Sequence, residues 1–132
     1  MGFGQAVKHV FSNYANFQGR ASRSEFWWFY LFMIIVNVLL YIIYALLDLW
    51  GGTTESLSTQ DIVGYILLGT WFLATIIPVI AVWVRRLHDS DKSGWWYLLV
   101  FACGIGGIVL LVFALLPGTP GPNKYGEGPA TA

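Results

Sequence analysis

Three long apolar runs, separated by short polar segments, dominate the chain. They extend from Phe26 to Leu47, from Ile62 to Val84 and from Trp95 to Leu116, and none contains Asp, Glu, Lys, Arg or His. At about 1.5 Å per residue each makes a helix of about 33 Å, enough for the roughly 30 Å hydrocarbon core of a bilayer. Strands of a membrane barrel would alternate polar and apolar positions. These runs do not alternate. Ahead of them Phe3, Val7, Val10, Phe11, Tyr14 and Phe17 recur at spacings of three and four, while Gln5, Lys8, His9, Ser12, Asn13 and Asn16 fall mostly on the other side. That is one apolar helical face. Such a helix suits the bilayer surface, or equally a position packed against the protein's own spans. The pattern predicts an all-α membrane protein in one domain: three transmembrane helices preceded by an N-terminal amphipathic interfacial helix. Residues 1–25 form the cytoplasmic amphipathic segment, 26–47, 62–84 and 95–116 the spans, and 117–132 a polar, turn-rich tail.

Aromatic and basic residues add borders and direction. Phe26, Trp27, Trp28 and Tyr30 open the first run and Trp50 follows it; Trp83 closes the second; Trp95, Trp96 and Tyr97 open the third. Amphipathic rings favour the headgroup level. Trp71 lies deep in the second run, where packing between helices is expected. Lys8, Arg20 and Arg23 precede the first run, Arg85, Arg86 and Lys92 separate the second and third, and the tail holds only Lys124. The segment from Asp48 to Asp61 has no Lys or Arg. By the positive-inside rule the N-terminus and the Arg85–Lys92 segment are cytoplasmic, and three crossings put the tail outside. Gly104, Gly106 and Gly107 leave a second geometry open, two half-helices that fold back and return the tail to the cytoplasm. The straight crossing is preferred because a re-entrant backbone needs protein around it. Pairs of small residues, Ala102 with Gly106 or Cys103 with Gly107, explain the glycines as close helix packing.

Composition agrees with lipid as the solvent. Hydrophobic residues make up 57% and charged residues 11% of the 132, against roughly 25% charged in an ordinary globular domain. A soluble fold could not cover its exterior with so few charges. The seven basic and seven acidic side chains cancel, which gives no reason to expect nucleic acid. Cys103 is the single cysteine, expected to pack as a small hydrophobe.

Three polar segments border the runs: F-Q-G-R-A-S-R-S-E-F-W-W from Phe17, R-R-L-H-D-S-D-K-S-G-W-W from Arg85, and P-G-T-P-G-P-N-K-Y-G from Pro117. In this order and spacing they resemble the bacterial inner-membrane family called "domain of unknown function 805", over nearly the whole chain. The resemblance implies a bacterial plasma-membrane location and brings no activity, ligand or catalytic residues.

The candidate chemistry is interfacial. Arg20, Arg23 and Glu25 before the first run, and Arg85, Arg86, His88 and Asp89 after the second, are expected on one membrane face. There Arg20 or Arg23 can pair with Asp89, and Glu25 with Arg85 or Arg86. Such pairs fix helix ends; the same residues are the candidate site for an anionic headgroup, because arginine forks match phosphate oxygens. No catalytic, cofactor-binding or metal-binding residues are expected: His88 lacks further ligands nearby, Ser93-Gly94 lacks a nucleophile motif, and phosphate-loop signatures are missing. The tail reads as reverse turns. Coupled transport needs ionisable groups near the midplane, and Asn37, Thr70, Thr75 and the carbonyl freed by Pro78 are a thin set. The expected function is a non-enzymatic scaffold, accessory or lipid-interacting component, with membrane lipids and either further copies or a larger membrane complex as partners. The alternative is a homo-oligomeric channel or small-solute transporter.

Overall fold

The computed structural model describes residues 2–51, 56, 58–101 and 104–128. The chain forms α1 (Phe3–Ser12), α2 (Arg23–Gly51), α3 (Thr59–Asp89), a 3-10 helix (Gly94–Phe101) and α4 (Ile105–Leu115). Among the described residues only α2 and α3 are long and apolar enough to cross a bilayer. None of the residues in the most apolar stretch of α2 is buried inside the chain, so its side chains face outward, as lipid contact requires. Ser58 starts α3 with a capping box: its hydroxyl accepts from the Asp61 amide at 3.3 Å, and Asp61 Oδ2 accepts from the Ser58 amide at 2.9 Å. At about 43 and 46 Å, both helices outrun the hydrocarbon core by roughly 15 Å. Their last turns therefore lie at the headgroup level.

The expectation of three transmembrane helices is overturned at the third apolar run. Trp96 and Phe113 stack edge to face with centroids 5.7 Å apart, and Lys92 Nζ lies 4.9 Å from the centroid of the same Phe113 ring. A straight helix would hold Trp96 and Phe113 about 25 Å apart. The run must therefore reverse, and it does so between Phe101 and Ile105. Gly104, with φ of 53°, caps the start of α4 in a backbone region that favours glycine. Each arm is about 16 Å long, half the depth of the core. The described arms, Gly94–Phe101 and Ile105–Leu115, fold against each other as a helical hairpin, and the tail that follows meets the segment before α2 at the end of α3. The objection that a bent backbone needs protein around it is met by Arg86, whose guanidinium donates to the carbonyls of Ala114, at 3.0 Å, and Leu116. Gly106 is buried, but a Cβ at Gly107 would meet no neighbouring atom, so close packing does not account for both. Their pairings with Ala102 and Cys103, the packing of Cys103, and the side chain of Trp50 lie outside the described residues.

The α1 helix packs against the spans. Ala6 and Val10 are wholly buried, and the Phe11 ring meets Phe29 at 5.8 Å and Phe32 at 6.0 Å. Beyond α1, the Tyr14 hydroxyl donates to the carbonyl of Ala74. That carbonyl stands four residues before Pro78, which has no N–H to offer it, so the proline's missing bond is made from outside the helix. α2 and α3 touch through Phe26 and Trp83 at 4.6 Å, through a hydrogen bond from Trp71 Nε1 to Asn37 Oδ1 at 3.0 Å, and where Gly64 admits the Tyr44 ring. The buried core joins Val10, Phe26, Phe29, Val82, Leu87, Leu110 and Ala114. It sits at the charged end of the bundle. In the far half, Leu39, Tyr41, Leu46 and Leu73 are all more than half exposed.

The Tyr14 contact can be isolated by a double-mutant cycle. Tyr14→Phe should cost about 1 kcal/mol, the upper part of the range for hydrogen bonds within membranes, in unfolding from mixed micelles. On a Pro78→Ala background, where residue 78 regains its own amide, the same change should cost close to zero. Equal costs on both backgrounds would show that the hydroxyl does not serve that carbonyl.

Candidate functional site

The three polar segments converge on the end of α3. Its final carbonyls have no partner within the helix, and the rest of the chain supplies donors. The Ala21 amide donates to Arg85 O at 2.9 Å and the Thr119 amide to Asp89 O at 2.7 Å. Asn123 Nδ2 donates to His88 O at 3.0 Å. The segment before α2 and the tail are thereby both stitched to one helix terminus.

Around this seam lie three guanidinium groups and two carboxylates, all less than a tenth exposed. Arg20 Nε donates to Asp89 Oδ1 at 2.9 Å, and its terminal nitrogens donate to Gly121 O at 2.7 Å and Thr119 O at 2.6 Å. Arg86 donates through Nη1 to Asp89 Oδ2 and, at 3.1 Å, to Ala21 O, while Nε and Nη2 hold the hairpin's end. Asp89 is thus shared between two arginines. Glu25 Oε1 accepts from Arg85 Nη1 and from His9 Nδ1, each at 2.7 Å. With Arg20, Arg85 and Arg86 against Glu25 and Asp89, the buried set carries one excess positive charge, His9 being half exposed and outside it.

Most of the candidate residues named from the sequence are brought together here. Arg20, Glu25, Arg85, Arg86 and Asp89 form the network, and Arg23 does not: it stays exposed at the start of α2. His88 belongs through its surroundings. Its Nδ1 donates to Gly19 O at 3.1 Å, and its ring lies 3.8 Å from that of Tyr125, 5° from parallel. Among the described residues no group of three His, Cys, Asp or Glu side chains forms. Sequence reasoning missed His9 and the whole tail contribution. Gly118 packs so tightly on the Asp89 carboxylate that a Cβ there would overlap it. Asn123 and Gly126 exchange amide hydrogen bonds at 3.0 Å, closing the turn that presents Tyr125 to His88. The signal is present in the sequence: the third polar segment, from Pro117, carries Gly118, Asn123 and Tyr125.

The sequence model of the family described as "Protein of unknown function (DUF805)" matches residues 14–127. The chain belongs to this family. The matched region takes in all three polar segments and so the complete arginine network of this DUF805 member. The chain is 42% identical to inner membrane protein YhaI of Escherichia coli K12, over 91% of each chain. It is 39% identical to inner membrane protein YhaH of the same organism, over 91% of this chain and 92% of the relative. No solved structure matches it. The chain is a bacterial inner-membrane protein with more than one membrane-spanning helix.

Removing one partner of a buried pair leaves an uncompensated charge and typically costs about 3–5 kcal/mol. Asp89→Asn and Arg86→Met should each destabilise the chain by that order, and Gly118→Ala by displacing the same carboxylate. Arg23→Gln should change stability by less than about 0.5 kcal/mol, as exposed substitutions do. Reversible unfolding in mixed micelles measures all four, and comparable losses for Arg23→Gln and Asp89→Asn would mean the network is not what holds the chain.

Proposed function

We propose that this chain is a non-enzymatic, lipid-interacting structural component of the inner membrane, with both termini in the cytoplasm, that grips the anionic inner leaflet. The observation that carries the reading is the distribution of charge once the third run is a hairpin. All seven Lys and Arg residues fall on one face, and the segment joining α2 to α3 has none. This sharpens the positive-inside bias from six against one to seven against zero. Arg20, Arg85 and Arg86 are buried in the fold, while Lys8, Arg23 and Lys124 are exposed, as are the rings of Trp28 and Trp95. An outer basic layer with indoles at the same level suits a negatively charged headgroup region, where each basic residue contributes about 1 kcal/mol.

Two measurements test the reading. Reporter fusions at either terminus should give fluorescent cytoplasmic protein and inactive alkaline phosphatase, and a phosphatase inserted between residues 52 and 57 should be active. An active C-terminal phosphatase would contradict the proposed orientation. In vesicles of phosphatidylcholine with a minority of brominated phosphatidylglycerol, tryptophan quenching should exceed that given by brominated phosphatidylcholine. Replacing Lys8, Arg23 and Lys124 together by Gln should abolish the excess. Equal quenching by both lipids in the unaltered chain would remove the lipid-gripping role.

A further inference from the structure

The three buried arginines are not used alike. The guanidinium group has an end bearing Nη1 and Nη2 and a side edge bearing Nε and Nη2, and the side edge presents two parallel N–H groups to a planar or tetrahedral oxyanion. In Arg20 this edge is filled by Asp89 Oδ1 and Thr119 O, and in Arg86 by the carbonyls of Ala114 and Leu116. In Arg85 the only acceptor among the described residues is Glu25, on Nη1. Arg85 is 2% exposed, and among the described residues no group accepts from its Nε or Nη2. A buried donor without an acceptor costs free energy comparable to a lost hydrogen bond, more when the donor is charged. Here two such donors stand side by side, in a cluster that already holds one positive charge too many.

We propose that the Nε/Nη2 edge of Arg85 is the recognition element of a phosphate site roofed by α1. The ligand is a phosphate oxyanion, supplied as the phosphodiester of an anionic phospholipid or as free phosphate. The proposal deepens the lipid-interacting reading above and rests on it for the site's place at the headgroup level. Charge and shape both support this chemistry: one bound phosphodiester neutralises the cluster and fills both open N–H positions with two oxygens.

The roof follows from what covers Arg85. Glu25, which holds its other end, is tied by the same oxygen to His9 of α1. Val10, the next residue, is buried in one cluster with Val82 and Leu87, which flank Arg85 along α3. α1 is amphipathic and ten residues long. Its apolar face can exchange the surface of α2 for hydrocarbon with little loss of burial, which opens a way to the edge without breaking the Arg20–Asp89–Arg86 clamp.

The full chain in nanodiscs of phosphatidylcholine containing a little phosphatidylglycerol provides the test, with retained lipid counted by native mass spectrometry and the arginine Nε–H resonances followed by NMR. The unaltered chain should retain phosphatidylglycerol in preference to phosphatidylcholine, and one Nε–H resonance should shift downfield as the anionic lipid is added. Arg85→Lys keeps the charge and removes the fork. It should lower retention by roughly ten- to hundredfold, the equivalent of one hydrogen bond to a charged group, while leaving the bulk quenching excess intact. The Lys8, Arg23 and Lys124 triple variant should do the reverse, so loss of the leaflet preference and loss of this site are separable. Inorganic phosphate that displaces the lipid, or shifts the same resonance in phosphatidylcholine alone, identifies the free ion as the source. Should Arg85→Lys fail to fold, His9→Ala leaves the fork and loosens the roof, and retention should rise several-fold. If neither lipid nor phosphate moves an Nε–H resonance, or if His9→Ala leaves retention unchanged or lower, the proposal is overturned and the edge is met by trapped water only.

Discussion

The fold depends on one constraint: the carbonyls that end α3 and α4 are shielded by the chain itself and must find donors within it. At α3 the Ala21 and Thr119 amides, Asn123 and Arg20 meet it, and at α4 Arg86 does. Each arginine reaches from one chain segment to carbonyls of another, and Asp89 holds the two guanidinium groups in register. Lysine could not do this, because an ammonium has no rigid fork to span two fixed acceptors. The desolvation of three buried arginines is large, and pairing alone offsets it poorly. What makes it tolerable is that nearly every N–H of Arg20 and Arg86 ends on a carbonyl or carboxylate, so the network serves at once as ion pair, helix cap and interdomain-like seam between the N-terminal segment, α3 and the tail.

From that clamp the topology follows. A chain that returns to Arg86 at Leu116 cannot also cross the membrane between Trp95 and Leu116. The hairpin's arms are each too short to cross, and the segment before α2 and the described part of the tail meet at the same end of α3. Pro78 is part of the same economy of donors: the carbonyl it frees is used to fasten the segment after α1. Backbone groups left without partners in lipid are expensive, and in this chain they become attachment points.

Much of this was legible in the sequence, for reasons that residues make plain. The first two apolar runs are uncharged and carry no glycine cluster at their middle, so length alone identified α2 and α3. The Arg20–Asp89 and Glu25–Arg85 pairs were among those open to the sequence, beside Arg23–Asp89 and Glu25–Arg86, because the basic residues of both segments had to share a face. The third run has the same length and hydropathy, and a period of 3.6 cannot distinguish one long helix from two short ones joined at Gly104. The deciding information was outside the run, in Arg86 and in Gly118, Asn123 and Tyr125 of the tail. Hydropathy describes how a segment meets lipid, whereas the reversal here is a hydrogen-bonding decision made 30 residues away in sequence. His9 was missed for a related reason: its partner Glu25 becomes its neighbour only when α1 folds back on α2. The Ser58–Asp61 cap, by contrast, is a local motif that could have been read directly.

The location of the core has a physical logic. Within hydrocarbon, helices gain little by burying apolar surface, since lipid tails are as apolar as leucine. Packing there relies on close fits such as Gly64 against Tyr44 and on occasional polar ties such as Trp71 with Asn37. At the headgroup level both the hydrophobic effect and charge-assisted hydrogen bonds act, and there α1, the hairpin and the tail gather around the end of α3. The far half of α2 and α3 remains a pair of helices with outward-facing Leu39, Leu46 and Leu73. A chain of this size therefore concentrates its polar contacts in one layer, a charged end carried on two apolar stems.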